Sequence, residues 1–213
     1  MNEQVTSYAA RLEVEYPERL DRVSSAFRLL WVVPIFVILA LVSSGGGGAV
    51  SIGDGGASAR DSGGTIVGGI GFALALMILF RQRYPRWWFD FLLGLTRFSS
   101  RVGAYLALLR DEYPSTEDEQ AVHVELDYPD ARALNRWLPL VKWLLAIPHY
   151  IVLFFLILGA VLAVIAAWFA ILFTGRYPRG LFDYVVGVGR WGLRVQAYAF
   201  LMLTDRYPPF SLR

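Results

Sequence analysis

The chain has 213 residues, of which 56% are hydrophobic and 15% aromatic, with a mean hydropathy of +0.46 and a formal net charge of +2. This composition is richer in apolar residues than that of an ordinary soluble domain, and the small net charge gives no indication of a nucleic-acid partner. The absence of cysteine from the sequence excludes disulfides, thiolate metal sites and cysteine nucleophiles.

Two short segments have the alternating pattern of β-strands. Leu12 and Val14 alternate with Glu13 and Glu15, and a Tyr-Pro pair follows. Residues 122–129 repeat this alternation at an offset of 112 and also close with Tyr-Pro. We predict two similar surface strands that can pair with each other.

The first apolar stretch is divided by glycine. Residues 27–42 and 66–80 are apolar, and the segment between them is rich in glycine and serine. We predict two membrane-spanning helices joined by an extracytoplasmic loop over residues 43–69.

The second apolar stretch is continuous. From Trp137 to Thr174 the only side chains that can carry a positive charge are Lys142 and His149, and none carries a carboxylate, so 38 residues have almost no charge. We predict a hairpin of two spans that turns at Gly159, because a single helix of this length exceeds the thickness of an ordinary bilayer.

Each apolar stretch is followed by the same motif. Arg-Tyr-Pro-Arg occurs at residues 83–86 and again at residues 176–179, and an amphipathic segment follows each copy, at 87–109 and 181–203. Two arginines in each segment favour an interfacial helix over a third span, although partial insertion stays open.

These patterns predict an all-α polytopic membrane protein with two parallel tandem repeats. Each repeat would contain a short surface β-strand, a transmembrane helical hairpin and an interfacial amphipathic helix. The first repeat covers residues 8–114, an acidic linker covers 115–121, and the second repeat covers 122–213. Only Arg60 of the 20 Lys and Arg residues lies between the two spans of a hairpin. We therefore predict a multi-pass protein of the cytoplasmic membrane with both termini in the cytoplasm.

Three segments of the second half resemble a prokaryotic membrane family, DUF4389, a domain of unknown function. They are residues 137–150 (WLPLVKWLLAIPHY), 169–179 (FAILFTGRYPR) and 203–210 (LTDRYPPF). The resemblance is close over 122–213 and looser over 8–114, where Ile35 stands at the position of His149. It implies an integral membrane protein, often with the domain in tandem, and no established activity.

Eight arginines are candidates for binding anionic lipid headgroups or a partner protein, since guanidinium groups match phosphate geometry. The alternative is that they anchor the protein at the interface and pair within the fold with Asp90 and Asp183. The candidates are Arg83, Arg86, Arg97, Arg101, Arg176, Arg179, Arg190 and Arg194.

Lys142 and His149 are seven residues apart and therefore share a helical face. Ionisable residues within a membrane segment suggest function, and His149 could relay protons or bind a metal or haem. The alternative is a neutral histidine that is hydrogen-bonded inside the helix bundle.

The sequence contains no recognisable nucleophile–base arrangement, so we predict a non-enzymatic protein without catalytic residues, cofactor or metal. We expect an accessory or scaffold subunit that binds a membrane partner protein or anionic lipid at the cytoplasmic face. The expected partners are membrane lipids and a membrane protein or a second copy of the chain, and no nucleic acid. The alternative is a small oligomeric transporter or channel that uses Lys142 and His149, and an enzyme acting on lipid is a third possibility.

Overall fold

The computed structural model describes residues 8–25, 27, 77, 84–115, 120–130 and 134–213. The predicted hairpin of the first repeat, including the glycine-rich loop 43–69, lies outside the described residues apart from two isolated positions. The middle of the acidic linker, residues 116–119, also lies outside them.

The two predicted strands are present, and they pair. β1 (Ala10–Val14) and β2 (Val122–Leu126) form an antiparallel two-stranded sheet in which Leu12 faces Val124. The apolar residues of β2 are buried and its polar residues are exposed, as the alternation predicts. One face of the sheet therefore packs on the core, and the other faces outward.

Four helices with complete bounds accompany the sheet: α1 (Arg86–Leu106), α2 (Leu138–Leu145), α3 (Ile147–Thr174) and α4 (Arg179–Ala199). Residues 22–25 are also helical. Helices α1 and α4 both begin directly after the proline of an Arg-Tyr-Pro-Arg motif. The carbonyl of that proline accepts the first helical hydrogen bond, at 3.1 Å in α1 and 3.0 Å in α4. A proline costs nothing at this position because its missing N–H would have no helical partner.

The predicted hairpin of the second half is wrong. Residues Leu138–Thr174 form one helical stretch, and Gly159 lies within α3 instead of in a turn. The stretch is interrupted at Ala146, since Pro148 has no N–H to donate to the preceding turn. Among the described residues, this stretch alone is long and apolar enough to cross a membrane. The predicted all-α polytopic fold with repeated hairpins, and with it the multi-pass topology, is therefore not what the structure shows.

Helix α4 is also not the interfacial helix that we predicted for residues 181–203. It lies between α3 and β1, and 11 of its 21 residues are buried. Its apolar side chains pack against protein, and α1 likewise packs against β2. The helical periodicity identifies an apolar face correctly, but it cannot distinguish a face covered by lipid from one covered by another helix.

The two halves of the chain contribute matching elements. The bounds of α4 follow those of α1 at an offset of 93 residues, and the bounds of β2 follow those of β1 at an offset of 112. Each strand packs against the helix of the other half, β1 against α4 and β2 against α1. The sheet therefore joins α1 to α4, and α4 separates β1 from α3.

Candidate functional site

Arg97 in α1 and Arg190 in α4 lie in equivalent places, each against the outer edge of one strand. Arg190 Nε donates to the carbonyl oxygen of Leu12 at 2.8 Å, and Arg97 Nε donates to that of Val124 at 3.1 Å. Leu12 and Val124 face each other in the sheet, and these carbonyls point away from the partner strand. Each guanidinium therefore forms a hydrogen bond with a carbonyl oxygen at the edge of the sheet, and it blocks the approach of a further strand to that edge.

Arg101 and Arg194, four residues further along each helix, hold the segment that follows their own helix. Arg101 donates to the carbonyl oxygen of Ser115, and Arg194 donates to those of Ser211 and Arg213. Burial, together with the neighbouring Arg190, lowers the pKa of Arg194 from its ordinary value. The two arginines of each helix thus lie on one face of that helix, as their spacing predicts. The observed hydrogen-bond partners of all four are backbone carbonyls.

Arg86 and Arg179 begin α1 and α4, and each lies over a tyrosine that follows the strand of the other half. The Arg179 guanidinium carbon is 4.8 Å from the centroid of the Tyr16 ring, and that of Arg86 is 5.3 Å from the Tyr128 ring. The hydroxyls of these two tyrosines donate to backbone carbonyls in the two motifs, those of Tyr177 and Tyr84. Each motif therefore receives the end of a strand from the other half.

The remaining predicted arginines lie apart from these contacts. Arg176 is exposed beyond the end of α3, and Arg83 lies outside the described residues. Asp90 and Asp183 are exposed, and neither forms an ion pair within the described part of the chain. The binding of lipid or of a partner by the eight arginines stays a prediction.

Lys142 is fully buried, and its charge is paired. Its ammonium lies 2.7 Å from a carboxylate oxygen of Asp205 and donates to the Thr204 carbonyl oxygen at 2.8 Å. It also lies 5.3 Å from the centroid of the Tyr198 ring. The other carboxylate oxygen of Asp205 accepts a hydrogen bond from the backbone of Asn135. Because a buried charge is tolerated only when it is paired, this contact fixes the segment after α4 against α2.

His149 is fully buried in an aromatic enclosure. Its Nδ1 accepts a hydrogen bond from the indole N–H of Trp191 at 3.0 Å, so a neutral ring carries its proton on Nε2. The imidazole stacks on Phe210 at 4.0 Å between ring centroids and lies 4.8 Å from the Tyr207 ring. Nε2 has no hydrogen-bond partner among the described residues. The histidine therefore contacts α4 and the C-terminal segment through both polar and stacking interactions.

Lys142 lies in α2 and His149 in α3, on either side of the interruption at Ala146, and sequence reasoning missed the residues that enclose them. A signal was present, because two aromatic residues of α4 are also seven apart and so share a face. The remaining three lie in the segment 203–210 that carries part of the family resemblance. The missed residues are Trp191, Tyr198, Asp205, Tyr207 and Phe210.

This Lys142–His149 cluster, defined by these two residues and the five side chains that enclose them, joins α2, α3, α4 and the segment after α4. The Lys142 ammonium binds the Asp205 carboxylate, and the His149 Nδ1 accepts a hydrogen bond from Trp191. No three His, Asp or Glu side chains within the described ranges are placed to hold a metal ion. The geometry therefore suits the attachment of one element to another.

The cluster lies entirely within a segment that is similar to a known domain. No curated protein and no solved structure matches the chain. One domain family matches the chain over α2, α3, α4 and the residues that follow, and this match confirms the family resemblance for that part of the sequence alone. Residues 137–211 match DUF4389, a domain of unknown function.

Proposed function

We propose that the protein is a non-enzymatic membrane component, an accessory or scaffold subunit that binds anionic lipid or a membrane partner protein at the cytoplasmic face. The observation that carries this proposal is the outward surface of α3. A helix of 28 residues presents an uncharged apolar face that the described protein leaves uncovered.

The apolar stripe of α3 consists of large side chains that recur every three or four residues and are about half exposed or more. Its members are Ile151, Phe155, Leu158, Leu162, Ile165, Phe169 and Phe173. Soluble proteins seldom expose apolar patches larger than a few hundred Å². A continuous stripe of this kind supports contact with lipid or with an apolar surface of a membrane protein.

Three arginines have exposed side chains that headgroups or a partner could contact, and two of them, Arg86 and Arg179, also lie over tyrosine rings. Arg86, Arg176 and Arg179 are exposed near helix ends, and Trp87 beside Arg86 is 71% exposed. Aromatic and basic side chains together are typical of the membrane–water interface. Each basic residue near an anionic surface contributes about 1 kcal/mol of attraction.

The matching elements of the two halves support an internal duplication of the strand and the amphipathic helix. Repetition of the arginines that bind backbone carbonyls fits a role in assembling the fold. The enclosure of Lys142 and His149 also suits a scaffold, and this geometry does not favour the transporter alternative.

Native mass spectrometry of the full chain in neutral detergent tests the headgroup contact. Phosphatidylglycerol and phosphatidylcholine are titrated separately into the wild type and into the triple variant Arg86→Gln/Arg176→Gln/Arg179→Gln. Loss of three charges should weaken phosphatidylglycerol binding by roughly 100-fold and leave phosphatidylcholine binding unchanged. Arg213→Gln, which removes one exposed charge at the C-terminus, is the control and should keep the preference for the anionic lipid.

Unchanged selectivity in the triple variant would show that these arginines do not bind headgroups. Extraction of the protein from its own membranes under mild conditions then separates the two kinds of partner. A stoichiometric protein partner supports the scaffold function, whereas a bare homo-oligomer without lipid or partner contradicts it.

A further inference from the structure

Helix α4, which has 21 residues, lies along part of the 28-residue α3. At the C-terminal end of α3, Ile171 shares a buried cluster with Phe182. Near the start of α3, the indole of Trp191 donates to His149. Between these contacts, the Tyr184 hydroxyl donates to a backbone carbonyl of α3 at 3.0 Å. The two helices therefore lie side by side and antiparallel.

The sheet covers the other side of α4. Tyr16, just after β1, packs against the start of α4 with ring centroids 5.0 Å apart. The Leu12 carbonyl receives Arg190 near the middle of α4, and the Tyr8 hydroxyl lies 3.4 Å from the Arg194 carbonyl oxygen. Helix α3, helix α4 and the sheet therefore form three successive layers.

The outward face of the sheet is charged. It contains an open groove of about 440 Å³ whose lining includes Arg11, Glu13, Glu15, His123, Glu125 and Arg190. If α3 crossed a bilayer, α4 and the sheet would enter the membrane beside its first half, and part of this groove would lie at the depth of the hydrocarbon. Charged side chains at that depth are rare and costly. The apolar stripe of α3 faces away from these charges.

We propose that α3 lies in the plane of the membrane, with its apolar stripe immersed in one leaflet and with α4 and the sheet on the aqueous side. This inference rests on the proposed membrane function and deepens it. The 28 residues of α3 extend over about 42 Å, which exceeds a hydrocarbon core of roughly 30 Å. An in-plane helix has no such limit of length, and only its apolar face needs to enter the lipid.

The sequence contains no cysteine, so single cysteine substitutions can each carry one spin label. Ile151→Cys, Leu162→Cys and Phe173→Cys place labels at the start, middle and end of the exposed stripe. The full chain is reconstituted in vesicles of phosphatidylcholine and phosphatidylglycerol. Label depth is then measured from collisions with oxygen, which partitions into lipid, and with a water-soluble nickel chelate. Glu13→Cys on the exposed face of the sheet is the control and should meet the nickel chelate alone.

An in-plane helix should give the same depth at all three stripe positions, within a few Å, because they lie on one side of α3. The outer two labels are 22 residues apart, which corresponds to about 33 Å along the helix axis. A spanning helix would therefore put them at opposite surfaces, with Leu162→Cys deepest. Asn135→Cys and Arg176→Cys flank the helical stretch, and a membrane-impermeant maleimide should label both from the same side.

Two results overturn the in-plane placement, and they are distinguishable. Maximal depth at Leu162→Cys, with the two flanking cysteines labelled from opposite sides, would show that α3 spans the bilayer while the membrane function stands. Collision of all three stripe labels with the nickel chelate, and not with oxygen in lipid, would contradict both the placement and the membrane function.

Discussion

Gly159 lies inside α3, and its missing side chain makes room for Tyr184 of α4. A Cβ atom added at Gly159 would lie 2.6 Å from the Tyr184 hydroxyl oxygen, which donates to the Leu156 carbonyl at 3.0 Å. Atoms do not approach this closely without a bond between them, so Gly159→Ala must displace the hydroxyl. We expect this substitution to destabilise the contact between α3 and α4.

The expected change combines three effects. Replacing glycine by alanine within a helix stabilises it by about 1 kcal/mol. Loss of the hydrogen bond from Tyr184 costs about 1 kcal/mol, and displacement of its ring from a packed interface costs about 1–3 kcal/mol. Gly159→Ala should therefore lower the free energy of unfolding by about 1–3 kcal/mol. In a Tyr184→Phe background the nearest atom is a ring carbon at 3.5 Å, an ordinary contact, and the same substitution should stabilise by about 1 kcal/mol.

The test compares four proteins: the wild type, Gly159→Ala, Tyr184→Phe and the double variant. Reversible denaturation in mixed micelles, followed by circular dichroism, shows whether the effect of Gly159→Ala on the free energy of unfolding changes sign between the two backgrounds. Gly192→Ala in α4 is the control, because a Cβ there meets no atom within 4 Å, and it should stabilise both backgrounds. If Gly159→Ala stabilised the wild-type protein as much as Gly192→Ala does, Tyr184 would not pack against α3 as described.

Asp205→Ala should lower the free energy of unfolding by about 3 kcal/mol, since the buried Lys142 ammonium would keep only a carbonyl partner, and Lys142→Met should cost less because it removes the buried charge. Denaturant titration compares the two variants, and equal costs would contradict this reasoning. Arg190→Ala should cost about 2 kcal/mol and speed amide hydrogen exchange in β1, where its carbonyl partner lies; unchanged exchange would exclude that contact. Burial raises the pKa of Tyr177 above its ordinary value of 10, so the stability that its neutral phenol contributes is present below pH 10 and is lost at higher pH. Tyr177→Phe should reduce this alkaline loss in thermal unfolding measured across pH, and an unchanged loss would assign it to other groups.

Local patterns in the sequence predict the elements of this fold well. The alternation at residues 12–15 and 122–126 identifies both strands, because side chains in a strand alternate between two faces. Helical spacing identifies the apolar faces of α1 and α4. These features depend on residues that are close in sequence, so one segment contains all the information needed.

Prediction from sequence fails where the structural role of a residue is determined by a partner that is distant in the sequence. Gly159 in an apolar stretch is compatible with a turn or with a close helix contact, and the residue that decides, Tyr184, is 25 positions away. Arg190 binds a strand carbonyl that lies 178 residues earlier in the chain. A backbone carbonyl has no signature in the sequence, whereas a repeated spacing of arginines is compatible with the binding of lipid phosphate.

The exchange of strands between the halves explains which residues recur. Strand β1 belongs to the first half but packs against α4 of the second half. The Tyr16 hydroxyl, just after β1, donates to the carbonyl oxygen of Tyr177 in the motif at residues 176–179. Residues 137–211, the segment similar to DUF4389, contain neither β1 nor β2. That segment therefore lacks the strand that covers one side of α4, and its core depends on the rest of the chain. Among the repeated residues, Arg86, Arg97, Arg179 and Arg190 and the two tyrosines that follow the strands join the halves. Their recurrence therefore follows from assembly of the fold and does not itself require two binding sites.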